Sequence, residues 1–197
     1  MSTKSDISAF IIAGGKSQRF GQDKTLYEYE GKPLVSRVYD AIEPVFDNIS
    51  VVANDSEKFS FLGLDVYPDI IPGLGPIGGI HTALKFSSTD RIFAFAADMP
   101  YLNTDFIRYM TEIPDLYDVI VPAPDGYFEP LHSIYSVKII SRIEYQINGG
   151  SSKISNLFNS DDVRVVTDDE IIFYDDSLKL FANVNRLEDI KSKGSLN

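Results

Sequence analysis

A glycine-rich, basic segment follows an apolar run near the N-terminus and constrains the fold more than any other feature. The run Ile7 to Ile12 predicts a buried strand. It leads straight into Ala13-Gly14-Gly15-Lys16-Ser17-Gln18-Arg19-Phe20-Gly21-Gln22-Asp23-Lys24. In a loop of this kind the backbone N–H groups can surround phosphate oxygens. Its three cations stand out in a chain of formal net charge -11, so the segment favours a polyphosphate ligand.

Composition limits the class of protein. At 197 residues, with 44% hydrophobic and 24% charged residues, the chain is typical of one globular domain, which we place at residues 1–197. The absence of cysteine excludes disulfides and thiolate metal sites, and the two histidines, His81 and His132, argue against a histidine-rich zinc site. The acidic balance argues against nucleic-acid binding. Because no signal-peptide pattern and no apolar run of membrane length occurs, we expect a cytoplasmic protein that does not bind membranes.

Apolar strand-like runs alternate with helix-like stretches along most of the chain. Several of these runs are continuously apolar, which suits strands covered on both faces. The alternation predicts a three-layer α/β fold with a mostly parallel sheet. A small antiparallel part is expected between Pro122 and Tyr135, where Asp125-Gly126 is a turn signal. The expected strands are Ala9–Ile12, Asn48–Val52, Asp65–Tyr67, Ile92–Ala96, Val119–Val121, His132–Tyr135, Val163–Val166 and Phe181–Val184, and the expected helices are Pro33–Glu43, Ile77–Phe86, Thr104–Thr111, Lys138–Gln146 and Leu187–Lys193.

Polar residues follow several of the predicted strands. In sheets of this type, ligands bind outside the carboxyl ends of the strands. Asp98, at the mouth of a buried strand, could hold Mg²⁺ beside phosphate oxygens, or could be an N-cap or turn aspartate. Together with the glycine-rich loop, the metal interpretation is favoured. Asn54 and Asp69 lie at other strand ends, where turn chemistry is the commoner role of both residue types.

A second glycine-rich segment, Pro72 to Gly79, leaves an alternative open. Gly73, Gly75 and Gly78 fit the G-x-G-x-x-G pattern of dinucleotide-binding proteins, although the preceding strand is short. The same glycines could let the backbone approach a base or a ribose closely. An NAD-dependent oxidoreductase would also need an acid–base residue, for which His132 is the best candidate. His132 is as well explained as a hydrogen-bonded strand histidine, and His81 has no evident partner.

Taken together, the motifs resemble those of a known enzyme family. Residues 12–24 resemble the nucleotidyltransferase signature L-A-G-G-x-S-x-R-M-G-x-D-K. The motifs that follow are Gly31-Lys32-Pro33-Leu34, Pro72-Gly73-x-Gly75-Pro76-x-Gly78-Gly79, Asp98-Met99-Pro100, Glu129-Pro130-Leu131-His132 and Asn183-Val184-Asn185. This combination is similar to the molybdenum cofactor guanylyltransferase (MobA) family over nearly the whole chain. Phe20, Arg186 and Lys153 depart from the methionine, threonine and arginine that the family commonly has.

The resemblance implies a Rossmann-like α/β domain that joins GMP from GTP to molybdopterin with Mg²⁺ and releases pyrophosphate. We expect a monomer, with other proteins of molybdenum cofactor biosynthesis or acceptor proteins as further candidate partners. Arg19, Lys24 and Asp98 would be catalytic, with Asp98 holding the metal. Asn183 and Asn185 would lie toward molybdopterin. The implied nucleotide-binding residues are Ile12, Ala13, Gly14, Gly15, Lys24, Asn54, Asp69, Gly78 and Asp98.

Three alternatives stay open on the sequence alone. One is a related nucleotidyltransferase that uses CTP or a sugar-phosphate acceptor. Another is the NAD-dependent oxidoreductase built on the second glycine-rich segment. The third is a nucleotide-binding protein without turnover, against which Arg19, Lys24 and Asp98 argue, because mere binding does not require all three.

Overall fold

The computed structural model describes residues 5–14 and 24–183, and a seven-stranded sheet forms its centre. The sheet order is β5-β4-β1-β6-β8-β7-β9, and β2 and β3 form a separate antiparallel hairpin. All neighbouring strands of the large sheet are parallel except β8, which runs antiparallel to both β6 and β7. The strands are β1 Ser8–Ile12, β2 Glu28–Tyr29, β3 Lys32–Pro33, β4 Ile49–Val52, β5 Asp65–Tyr67, β6 Arg91–Ala96, β7 Val119–Pro122, β8 His132–Ser136 and β9 Val163–Val166.

Helices cover both faces of the sheet, as the sequence predicts. The α-helices are α1 Leu34–Ile42, α2 Pro76–Phe86, α3 Thr104–Glu112, α4 Ile140–Asn148 and the short α5 Asp168–Ile171. Apolar residues of α1 and α3 join one buried cluster, and those of α2 and α4 join another. Successive strand residues point to opposite faces, so Ile11 and Phe95 belong to the first cluster while Phe10 and Ala94 belong to the second. The three-layer α/β architecture is therefore confirmed.

Helix α2 lies unusually close to β1 because Gly79 has no side chain. A Cβ atom placed on Gly79 would lie 2.5 Å from Cγ2 of Ile12, a separation that real Cβ contacts do not reach. Ile12 is the last residue of β1, so this contact sets the distance between α2 and the strand end that leads into the glycine-rich loop. Packing requires a glycine at this position.

Most predicted elements are present with ends shifted by one or two residues. Asn103 is the N-cap of α3, where its side chain accepts hydrogen bonds from the N–H groups of Asp105 and Phe106. The predicted strand Phe181–Val184 is wrong over its described residues, because Lys179–Phe181 forms a 3-10 helix whose Phe181 packs into the core. Apolar runs this short suit a strand or a helical turn equally.

Some features lie outside the prediction or outside the described residues. The β2–β3 hairpin was not predicted, because strands of two residues are too short to show a periodic pattern. The predicted helix Leu187–Lys193 lies outside the described residues. Among the helices in the described ranges, none is both long and apolar enough to cross a membrane.

Candidate functional site

The carboxyl ends of β4, β1 and β6 lie side by side at one edge of the sheet. Past the end of β1, the Ala13 N–H donates to the carbonyl of Val52 at 2.9 Å. The Ala97 N–H donates to the carbonyl of Ile12 at 3.2 Å. These bonds continue the sheet pairing beyond its last residues, so the loops after β1, β4 and β6 leave the sheet side by side. The sequence expectation that motifs gather at one edge is met by Gly14, Asn54 and Asp98.

Asn54 and Asp69 form a reciprocal pair at this edge. Asn54 Nδ2 donates to Asp69 Oδ2 at 3.0 Å, and the Asp69 backbone N–H donates to Asn54 Oδ1 at 3.0 Å. A Cβ atom on Gly14 would lie 3.4 Å from Asp69 Oδ2, so the carboxylate borders the start of the glycine-rich loop. The structure thus brings Gly14, Asn54 and Asp69 together, three of the positions predicted to bind nucleotide.

Asp98 follows the fully buried strand β6 and is itself partly exposed. Its neighbours Ala97 and Met99 are buried, with exposures of 2% and 1%, so the backbone around it is held by packing. Because β6 is adjacent to β1 in the sheet, Asp98 leaves the same edge as the glycine-rich loop. This carboxylate is placed where a ligand held by Gly14 could reach it.

The β2–β3 hairpin is joined to the segment after Asp98. Tyr101 Oη donates to Tyr29 Oη at 3.0 Å, and the two rings meet edge to face with centroids 5.8 Å apart. Burial, followed by the hydrogen bond to Tyr29, raises the pKa of Tyr101 to about 12. The guanidinium of Arg37 lies 5.1 Å from the centre of the Tyr29 ring. Sequence reasoning missed this connection, since it depends on a hairpin too short to predict.

Gly78 is buried within α2 and faces the loop that precedes the helix. A Cβ atom there would lie 3.1 Å from Cβ of Leu74 and 3.2 Å from the carbonyl oxygen of Ile71, so packing restricts the position. Gly73 and Gly75 have φ values of +85° and +67°, which favour glycine. The loop geometry explains these glycines without a dinucleotide, and a nucleotide contact from Gly78 stays a prediction.

Several predicted site residues fall outside the described part of the chain. Gly15, Arg19 and Asn185 are among them. Lys24 is the first residue of the 3-10 helix Lys24–Leu26, which precedes the β2–β3 hairpin. Asn183 is exposed and lies two residues beyond the buried Phe181.

His132 is a core residue. The side chain is fully buried, and its ring lies 5.3–5.6 Å from four aromatic rings, those of Phe93, Phe95, Phe106 and Phe181. Neither ring nitrogen has a hydrogen-bond partner among the described residues, so it is not the hydrogen-bonded strand histidine suggested by its sequence. Burial lowers its pKa to about 3. It is therefore neutral and enclosed, and the acid–base role required by the oxidoreductase alternative is excluded.

His81 does have a partner, contrary to the sequence expectation. Its Nε2 lies 3.2 Å from Oε1 of Glu144 on α4, and Lys85 Nζ donates to the same oxygen at 3.2 Å. These contacts join α2 to α4 on the helical layer. Because Glu144 lies 63 residues from His81 in the chain, no local sequence pattern could predict this contact.

Comparisons with known proteins identify the family and agree with the fold. Residues 9–165 match the family described as MobA-like NTP transferase domain. A "Probable molybdenum cofactor guanylyltransferase" from Natranaerobius thermophilus is 33% identical and covers 94% of each chain. One of the same name from Aquifex aeolicus is 33% identical over 93% of this chain and 88% of its own. The crystal structure of molybdopterin-guanine dinucleotide biosynthesis protein A from Archaeoglobus fulgidus has a TM-score of 0.76 at 26% identity, covering 94% of this chain and 96% of that one.

Proposed function

The chain belongs to the MobA-like NTP transferase family, and on that premise we propose that it transfers GMP from GTP to molybdopterin, forming molybdopterin guanine dinucleotide and pyrophosphate. The observation that carries the proposal is the similarity over nearly the full length of two named guanylyltransferases. Membership of a nucleotidyltransferase family also removes the NAD-dependent oxidoreductase from consideration.

The nucleotide half of the site would be the edge formed by β1, β4 and β5. Asn54 and Asp69 orient each other there, and Asp69 borders Gly14. A carboxylate and an amide held in place can accept from and donate to the polar groups of a base or ribose. The exposed glycine at the end of β1 leaves room for phosphates to approach the backbone. We propose that Ile12, Ala13, Gly14 and Gly15 form the phosphate side of this half.

The reaction is an in-line displacement at the α-phosphorus of GTP. An oxygen of the terminal phosphate of molybdopterin forms the new bond to phosphorus. The bond from phosphorus to the oxygen bridging the α- and β-phosphates breaks, and that oxygen leaves with pyrophosphate. No covalent enzyme intermediate is required, so the protein acts by positioning and charge stabilisation. Arg19 and Lys24 are proposed to stabilise the charge that accumulates on the leaving pyrophosphate.

The described residues fit a magnesium ion bound largely by phosphate oxygens. In residues 5–14 and 24–183, no group of three or more histidine, aspartate or glutamate side chains could hold a metal. Mg²⁺ in nucleotide sites is usually bound through one or two carboxylates together with substrate phosphates. Asp98, at the carboxyl end of β6, is the residue that would hold it. When bound, the ion would neutralise charge on the phosphates.

The test is direct formation of the dinucleotide. Purified protein is incubated anaerobically with Mg²⁺, molybdopterin and one of GTP, CTP, ATP or UTP, and product and pyrophosphate are measured by chromatography and a coupled assay. Dinucleotide formation with GTP alone is expected. Formation with CTP instead would keep the chemistry and overturn the choice of base. If the protein binds GTP but consumes no nucleotide, the result would favour a nucleotide-binding protein without turnover.

Thermal stability gives a second, simpler measurement. A ligand present at one hundred times its Kd stabilises a protein by about 2.7 kcal/mol. For a domain of this size that corresponds to a rise of roughly 5–10 °C in Tm. We expect such a rise with GTP and Mg²⁺ together, and none with NAD.

The proposal includes a cytoplasmic monomer. Both proposed substrates are intracellular metabolites, so the reaction belongs where GTP is abundant. Other proteins of molybdenum cofactor biosynthesis are the natural candidates for contacts that deliver the acceptor or receive the product. Light scattering of the purified protein would measure its mass, and a value of one chain would support the monomer.

A further inference from the structure

The loop between β7 and β8 lies at the same edge of the sheet as Asp98, on the side away from Asn54 and Asp69. The Ala96 N–H donates to the carbonyl of Leu131 at 2.9 Å, so the chain entering β8 runs beside the chain leaving β6. β5, which precedes Asp69, lies three strand spacings from β6 on the other side, about 14 Å away. The β7–β8 loop therefore borders the half of the edge that the proposed nucleotide does not occupy.

The backbone of this loop is firmly held. The Ala123 N–H donates to the carbonyl of Val166, and the Glu129 N–H donates to the carbonyl of Pro122 at 2.9 Å. The Asp125 N–H donates to Oδ1 of Asp168 at 3.0 Å. Near the end of the loop, the Phe128 ring packs on Phe158 with centroids 4.7 Å apart. A loop anchored at its start, turn and end presents its remaining side chains in a defined position.

The side chains of Tyr127 and Glu129 in this loop make no hydrogen bond or ion pair with the residues that the structure describes. Tyr127 is 76% exposed, although burial of an aromatic ring usually stabilises a protein more than exposure does. Glu129 is half-buried, yet its carboxyl forms no hydrogen bond or ion pair with any residue in the described part of the chain. Removing a carboxylate from water without a partner is unfavourable. An exposed aromatic ring two residues from a partly desolvated carboxyl that has no partner in the described part of the chain is suited to a planar heterocycle with N–H groups on its edge.

We propose that Tyr127 and Glu129 form the acceptor subsite, in which the pterin ring stacks on Tyr127 and donates its adjacent ring N–H and amino group to the Glu129 carboxylate. This inference rests on the proposed function, because it takes molybdopterin as the acceptor. A carboxylate has two oxygens that can each accept one of two neighbouring donors, which gives a paired contact of fixed geometry. Stacking of the pterin on the Tyr127 ring adds affinity that depends little on the substituents of the pterin.

The environment of Glu129 agrees with this role. Burial raises the pKa of the Glu129 carboxyl to about 7, and no cation of residues 5–14 or 24–183 compensates for the loss of solvation. Two N–H donors from a ligand would stabilise the charged form and replace the missing partners. The unliganded protein therefore holds a carboxyl that gains more from this ligand than a fully hydrated one would.

Guanine carries the same pair of adjacent donors as a pterin, so GTP is the other source of this chemistry. The position of the loop favours the pterin over guanine, because the loop and the Asn54–Asp69 pair proposed for the nucleotide lie on opposite sides of β6. If the base of GTP occupied the β7–β8 loop, the Asn54–Asp69 side of the edge would be left to the acceptor. In the first arrangement, changing Glu129 raises KM for molybdopterin, whereas in the second it raises KM for GTP.

The experiment measures binding and turnover separately. Molybdopterin is titrated anaerobically into wild type, Glu129→Gln, Tyr127→Ala and Tyr127→Phe without nucleotide, and KM is then measured for molybdopterin and for GTP. Glu129→Gln keeps the size of the side chain but accepts through one oxygen only, so the Kd and KM for molybdopterin should rise about tenfold or more. Tyr127→Ala should raise both by about fivefold or more, and Tyr127→Phe, which keeps the ring, by less than about twofold. KM for GTP should stay within about twofold.

Glu112→Gln is the matched control. Glu112 is an exposed carboxylate at the last residue of α3, and only the first residue of that helix lies near the site edge. Glu112→Gln therefore removes the same charge as Glu129→Gln, at a place remote from the site. Molybdopterin affinity unchanged in Glu129→Gln, with normal guanylyl transfer, would overturn this inference alone. A rise in KM for GTP instead would overturn it in favour of guanine. A wild type that binds GTP but neither binds nor modifies molybdopterin would overturn the proposed function and the subsite together.

Discussion

Asn54 and Asp69 hold each other through two hydrogen bonds of 3.0 Å, one between side chains and one from the Asp69 backbone. The pair connects the ends of β4 and β5 and fixes the direction of the Asp69 carboxylate beside Gly14. Because an ionised carboxylate offers about four acceptor positions, the bond from Asn54 leaves Asp69 able to accept from a ligand. Asn54 is thus a positioning residue as well as a candidate contact.

Replacing Asn54 by alanine should weaken GTP binding with little effect on folding. Losing the orientation of Asp69 and one ligand contact should raise the Kd for GTP by about threefold to tenfold, the equivalent of one hydrogen bond. Calorimetric titration of GTP with Mg²⁺ measures this. Asp55→Ala is the control, because its ion pair with Lys58 is exposed and contributes little. Equal Kd values for Asn54→Ala and wild type would remove this pair from the nucleotide site.

Asp98→Asn should abolish most of the turnover. If Asp98 holds the metal, an amide in its place should lower kcat at least about a hundredfold, the effect of losing about 2.7–4 kcal/mol of charge stabilisation. The Mg²⁺ concentration for half-maximal activity should also rise. Asp90→Asn is the matched control, since Asp90 is an exposed aspartate just before β6, at the opposite edge of the sheet. Activity near that of wild type in Asp98→Asn would contradict the assignment.

Lys24→Ala should act on the chemical step. A cation that stabilises the leaving pyrophosphate is worth most in the transition state, so kcat should fall about a hundredfold or more while the Kd for GTP changes less. Single-turnover measurements separate the two quantities. Lys58→Ala removes an exposed lysine from the same chain and should leave the rate unchanged. A Kd increase that accounts for the whole loss would make Lys24 a binding residue only.

Gly79→Ala should destabilise the protein. The added methyl group would meet Cγ2 of Ile12 at 2.5 Å, and both residues are buried, so the Ile12 side chain or the packing of α2 on β1 must shift. Overpacking of this kind costs about 1–3 kcal/mol, reduced by the better helix propensity of alanine. We expect a fall in Tm of about 2–8 °C by calorimetry. Gly149→Ala is the control, because its Cβ would have only ordinary contacts at 3.4 Å, and an equal loss there would refute the packing explanation.

The placement of Gly14, Asn54 and Asp98 at one edge could be predicted because each follows an apolar run. Continuous apolar strands imply a covered parallel sheet, and such a sheet has its ligand site at the carboxyl ends. The Asn54–Asp69 pair could not be predicted, since its partners are 15 residues apart and depend on β4 pairing with β5. Asparagine and aspartate after strands are more often turn residues, so their types alone pointed elsewhere.

The strand β8 shows why the other half of the site was harder to predict. An antiparallel character for this region was predicted, but its insertion between β6 and β7 is a long-range pairing that no local pattern encodes. That insertion buries His132 and leaves Glu129, three residues earlier, at the edge. The two titratable residues of one short motif therefore have different surroundings: His132 is enclosed in the core, and Glu129 is half-buried at the edge of the sheet.

The burial of His132 predicts loss of stability in acid. Its folded pKa of about 3 lies below the unfolded value near 6.5, so the unfolded state binds more protons between these limits. Stability from this residue is fully present above about pH 6.5 and is lost as pH falls toward 3. Between pH 7 and pH 5 the loss should be about 2 kcal/mol.

Urea unfolding at a series of pH values, compared between wild type and His132→Leu, measures this contribution. Leucine is close in size and suits an aromatic surrounding, so the variant should remain folded. The half-buried Glu129 acts in the opposite direction, since its raised pKa removes stability as pH rises from about 4.5 to about 7. That effect is present in both proteins and cancels in the difference. The stability of wild type relative to the variant should fall as pH drops from 7 to 5, and a constant difference would mean that His132 can become protonated within the folded core.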